Sequence, residues 1–143
     1  MMEIQYRIDN MVEDYYKFNY DFDYNSVNKE DLGFQVEHSI KVLKETEQIV
    51  LVLRVYIFNT NEEELVCQSV RATFKVQPLE HFIKREEDEG MIVSNPLLID
   101  TFINILVGAA RGMLVKNLKN TPIEDVVVPL IPMNVIRQNA IKQ

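Results

Sequence analysis

The chain has 143 residues, 47% of them apolar, and a formal net charge of −7. That is enough for one domain spanning 1–143 with a core of its own, and it excludes a chain disordered by composition. The acidic balance argues against nucleic acid, whose phosphates call for a basic face, and against anionic lipid surfaces. A single cysteine, Cys67, cannot form an internal disulfide and suits a reducing compartment. The start of the chain, Met-Met-Glu-Ile-Gln-Tyr, lacks the basic-then-apolar layout of a signal peptide, so the expected location is the cytoplasm. The acids are unevenly spread. Residues 1–34 carry eight acids and three bases, whereas 96–143 carry three acids and five bases. An acidic front half could meet a basic partner, although solvation alone also explains it.

In chain order, Tyr16, Phe18, Tyr20, Phe22 and Tyr24 alternate with polar residues, which predicts a first strand with one aromatic face. Residues 15–24 hold six of the thirteen aromatic side chains, either as sheet core or as a wall for apolar peptides. Asn25–Gly33 reads as a loop. Phe34, Val36, His38, Ile40 and Val42 mark a second half-buried strand, and Glu45–Gln48 a turn. Ile49–Phe58 is apolar on both faces apart from Arg54, the pattern of a central strand covered twice. After the turn Asn59–Glu64, Leu65–Val76 is a fourth strand with Val66, Val70, Ala72, Phe74 and Val76 on one face. Pro78 ends it. Short polar connections favour an antiparallel meander. Phe82–Gly90 reads as a charged crossover loop or short helix.

A long apolar helix is predicted from Ser94 to Lys119, with Ser94 as N-cap and Pro96 in the first turn. Its polar positions, Asp100, Asn104, Gly108, Gly112 and Lys116, fall at spacing four in one narrow stripe. So much apolar surface exceeds the stripe of an ordinary surface helix and calls for a second cover, most simply another subunit. Leu97–Leu118 approaches membrane length, but its charges favour a buried helix over membrane insertion. Gly108 and Gly112 suggest a close crossing of helix on helix or strand. The extended run Val126–Asn134, bracketed by Pro129 and Pro132, leads to a short closing helix.

No catalytic constellation emerges. Nucleophilic chemistry needs a base beside the nucleophile, and the chain offers only His38, His81 and mid-strand Cys67. A metal site from Cys67, His38 and His81 lacks any close-spaced ligand pair. The acidic runs Glu62–Glu64 and Glu86–Glu89 lack the alternating oxygens and the glycine of a calcium loop. No enzyme activity, cofactor or metal is expected, with a small-ligand pocket under the crossover as the weaker alternative.

The order of these elements resembles the SecB family of bacterial export chaperones. The similarity rests on Asn95-Pro96 opening the helix, Ala110-Arg111 at its middle, and Val128-Pro-Leu-Ile-Pro132-Met-Asn134 before the last helix. It implies an α+β fold: a four-stranded antiparallel sheet with the long helix and a short C-terminal helix on one side. It further implies a non-catalytic homodimer or homotetramer with its helices packed between subunits; Asn104, Gly108, Ala109 and Gly112 are the positions expected there. The implied partners are unfolded polypeptide or an antitoxin client held in an apolar groove, and an export motor met by an acidic sheet face. Phe74, Val76, Phe82 and Ile83 are the expected groove residues, and Asp21 and Asp23 the acidic face. An adaptor of the same fold without general chaperone activity is the alternative.

Overall fold

A computed structural model describes residues 5–81, 83–86, 90–93 and 96–138. Four long strands, β1 (Gln5–Phe18), β2 (Gly33–Leu43), β3 (Gln48–Phe58) and β4 (Glu64–Gln77), form one antiparallel sheet in the order β1-β4-β3-β2. A small hairpin, β5 (Ile83–Glu86) and β6 (Gly90–Val93), precedes the long helix α1 (Pro96–Asn117), and α2 (Met133–Gln138) closes the described chain. β2, β3 and β4 are the expected meander. β1 is not its first rung, because it crosses back to lie beside β4.

The aromatic alternation does not mark that strand. β1 begins at Gln5 and ends at Phe18, and the rest of the run turns away. Phe18 stacks on Tyr24 at 5.2 Å, while Phe22 and Tyr24 meet edge to face at 5.4 Å. The run is thus a plug at one end of the sheet rather than an aromatic wall. β1 was harder to read because it is bulged twice, at Asp9 and at Asp14, so its inward residues do not keep period two. Both bulged carboxylates turn to the outer face. Asp9 accepts from Arg7 Nε and from Gln48 Nε2, each at 2.8 Å, and these bonds hold its carboxyl below the ordinary carboxylate range. Asp14 accepts from Ser69 Oγ and Arg71 Nη1, both at 3.3 Å.

Period two does govern β3 and β4. Ile49, Leu51, Leu53, Val55 and Ile57 are buried beside Val66, Val70, Ala72, Phe74 and Val76. α1 lies over this face, and Phe102 stacks on Phe74 with ring centroids 4.0 Å apart. Leu98, Ile99, Ile103, Leu106, Val107, Ala110 and Leu114 are buried along the same side of the helix. By length and composition Leu97–Asn117 could cross a membrane. In this fold the sheet takes up its apolar side.

The polar stripe needs correction. Asp100 is buried, whereas Leu97, Thr101, Asn104, Gly108, Gly112, Val115 and Lys116 are exposed. Four residues overshoot a turn of 3.6, so a line drawn at spacing four drifts around the helix and its Asp100 end meets the sheet. The sheet therefore covers one side of α1 and leaves an exposed strip that runs from Leu97 through Asn104, Gly108 and Gly112 to Lys116. The crossover is corrected too, since its described residues form the β5–β6 hairpin, not a loop or helix. Ser94 lies outside the described residues.

A polar network ties β1 to the end of α1. Fully buried Gln68 donates to Glu13 Oε2 at 3.0 Å and accepts from Asn117 Nδ2 at 2.8 Å. The Tyr16 hydroxyl donates to the Asn117 carbonyl at 3.2 Å. A second tie holds the proline-bracketed run, which has no ladder partner for its carbonyls. Arg111 Nε donates to the Val128 carbonyl at 2.9 Å and Arg111 Nη2 to that of Pro129 at 3.1 Å. These bonds join two of the motifs read from the sequence, Ala110-Arg111 and the run from Val128 to Asn134.

Two outcomes follow. Arg111→Met keeps the bulk but leaves two carbonyls unbonded, so it should destabilise the protein by about 1–3 kcal/mol. It should also make residues 126–132 the first site of limited proteolysis; unchanged melting and cleavage would refute the clasp. His38 lies inward on β2, 7% exposed, with Nδ1 unbonded. Burial lowers its pKa from the ordinary 6.5, with the Ile136 backbone pulling the other way. The unfolded chain therefore takes up a proton that the folded chain resists. Stability should be level above pH 6.5 and fall as pH drops through that value and on toward the folded pKa. Denaturant titrations of the parent and of His38→Phe across that window check this, because the variant should lose that part of the slope.

Candidate functional site

The groove residues named from the sequence do not gather at a surface. Phe74 and Val76 are fully buried under α1, as their shared face with Val70 and Ala72 requires. Placing them in an open groove is therefore a mistake. Phe82 lies outside the described residues, and for Ile83 only its backbone place in β5 is described.

The apolar groove lies elsewhere, along β2. A depression of about 520 Å³ is lined by Phe34, Gln35 and Val36 on one side and by Pro129, Ile131, Val135 and Ile136 on the other. Two features of the sequence build it. The first is that β2 is an edge strand paired only with β3, so every second residue turns its N–H and C=O away from the sheet. Among the described residues no backbone hydrogen bond reaches that edge. The second is the run Pro129–Pro132, which cannot join a ladder and is held off the sheet by Arg111. α2 then packs on β2, with Ile136 buried against the His38 side while Val135 stays 41% exposed in the groove wall. The alternation of β2 and the two prolines were the legible signals. That they face each other depends on a tertiary return.

Other expected positions fall apart spatially. Asp21 and Asp23 lie beyond the end of β1, in a turn and not on a sheet face. Asp23 caps a single 3-10 turn by accepting from the Asn25 amide at 3.1 Å. Asn104, Gly108 and Gly112 are exposed and Ala109 half-buried along the outer side of α1. A Cβ added at Gly108 or Gly112 would meet nothing within 4 Å, so neither marks a close contact inside this chain.

Cys67 faces outward on β4 and His38 inward on β2, so the sheet itself separates them. Among the described residues no three potential ligands come together for a metal. Burial raises the Cys67 pKa, which keeps the thiol protonated and weak as a nucleophile. The chemistry this arrangement offers is recognition: free backbone groups beside apolar side chains.

No family model and no curated protein matches the sequence. Among solved structures, one match is the Rv1957 SecB-like chaperone of Mycobacterium tuberculosis, in complex with a ChAD peptide from the Rv1956 HigA1 antitoxin. It has a TM-score of 0.58 and 10% identity over 89% of this chain and 90% of that one. Another is a protein of unknown function from Streptococcus agalactiae, with a TM-score of 0.46 and 12% identity over 92% and 99% of the two chains. The chain thus has an α+β, SecB-like fold, the one its strand and helix order implied.

Proposed function

We propose that this chain is a non-catalytic, chaperone-type protein that binds extended polypeptide along the β2 edge. The observation that carries this is an unpaired strand edge running beside an apolar groove. Strand addition uses such an edge for main-chain hydrogen bonds and the flanking pockets for alternate side chains. An unfolded client supplies both, with no demand for a fixed sequence. The shared fold with a peptide-bound SecB-like chaperone supports a polypeptide client, an antitoxin segment among the candidates.

Assembly is part of the same proposal. The uncovered strip of α1, from Leu97 through Asn104, Ile105, Gly108, Ala109, Gly112 and Val115, is small or apolar along most of its length. It would serve as the contact between copies in a homodimer or homotetramer. Exposed mid-helix glycines each cost about 1 kcal/mol relative to alanine, and a close crossing would offset that.

Aggregation of a denatured client, followed by light scattering, tests the binding. Near-stoichiometric protein should suppress the scattering, and Val135→Glu should abolish suppression with the fold intact by circular dichroism. No suppression at several-fold excess defeats the reading. For the assembly, the Gly108→Ala, Gly112→Ala double variant should raise the protomer's helix stability by about 1 kcal/mol per site while weakening the oligomer. A native mass measurement that returns a monomer for the unsubstituted protein sinks this part.

A further inference from the structure

The outer face of the sheet is a second surface, independent of the groove. Both helices lie on the other face, yet β3 is apolar outward as well, through Val50, Val52, Tyr56 and Phe58. A sheet covered on one side ordinarily shows polar residues to water. Here these four side chains are half-buried, and Tyr56 stacks on Phe58 at 5.8 Å. This explains why β3 reads as a strand covered twice: among the described residues one helix layer covers its inner face, and its outer face is apolar too.

Charge says what kind of cover fits. Arg7, Lys17, Lys41, Arg54, Arg71 and Lys75 point to this face, six of the chain's fifteen bases. Among the described residues four acids do so: Asp9, Asp14, Glu37 and Glu64. Two of those are already engaged, Asp9 by Arg7 and Asp14 by Arg71. Lys17 and Lys41 stand exposed on either side of the apolar row, with Arg54 within it. In a chain of net charge −7 this face carries an excess of bases, the opposite of what Asp21 and Asp23 had suggested.

We propose that the outer sheet face docks an acidic, amphipathic polypeptide segment, its apolar side chains on Val52 and Tyr56 and its carboxylates toward Lys17, Lys41 and Arg54. Nucleic acid matches the charge less well, because the remaining surface is strongly acidic and would repel it.

Fluorescence anisotropy on the intact protein tests this, using a labelled peptide of alternating leucine and glutamate. A lysine-for-glutamate peptide and a single-stranded oligonucleotide of equal length serve as controls. The acidic peptide should bind, and binding should weaken as salt rises. The Lys41→Gln, Arg54→Gln double variant should reduce affinity about tenfold, and Val52→Glu at least as much. Val135→Glu in the groove should leave the salt-dependent part of the binding in place, which separates the two surfaces. Equal binding of the lysine peptide, preference for the oligonucleotide, or loss of binding with Val135→Glu but not with Val52→Glu would overturn the proposal. So would a drop in native mass with Val52→Glu, which would assign the face to a second copy.

Discussion

Everything else in the molecule is arranged around a sheet that one helix covers on one face. Phe102 on Phe74 marks the centre of that contact, and the buried side of α1 follows β3 and β4 from there. A single helix is narrower than four strands. The β1 side is closed instead by the Gln68–Glu13–Asn117 network, and the β2 side by the returning C-terminal segment. Among the described residues, what the helix leaves open is the edge of β2 and the opposite face of the sheet.

Much of this fold is legible from the residues alone. Alternation in β2, β3 and β4 placed each strand within a residue or two, and Pro96 marked the helix start, because burial on one face writes itself directly into the sequence. β1 was displaced because its two bulges break the period and its edge position tolerates polar residues. The aromatic run imitated a strand because side chains stacked on one another at a turn can alternate as well. The groove was misplaced for a different reason. Phe74 and Val76 share the phase of Val70 and Ala72, so the pattern had already assigned them to the core. The actual groove joins residues 34–36 to 129–136, a pairing that no local pattern encodes.

Arg111 shows how a short spacing can carry long-range meaning. The residue is half-buried, and its guanidinium donates to the carbonyls of Val128 and Pro129, which lie outside any strand. That bond converts a proline-rich tail into a fixed groove wall. Arg111 and the Val128–Pro129 segment are therefore linked by a tertiary contact that spans 17 and 18 residues of chain.

The bulges of β1 have a consequence for the sheet as a whole. A strand interrupted at Asp9 and Asp14 offers an incoming chain no unbroken ladder, and two carboxylates stand beside the breaks. β2 has no such interruption and keeps its register with β3 from Gly33 to Leu43. The sheet thus has one blunted edge and one smooth edge. It can grow by a strand in one direction and resists growth in the other, so binding an extended chain need not seed an open-ended sheet.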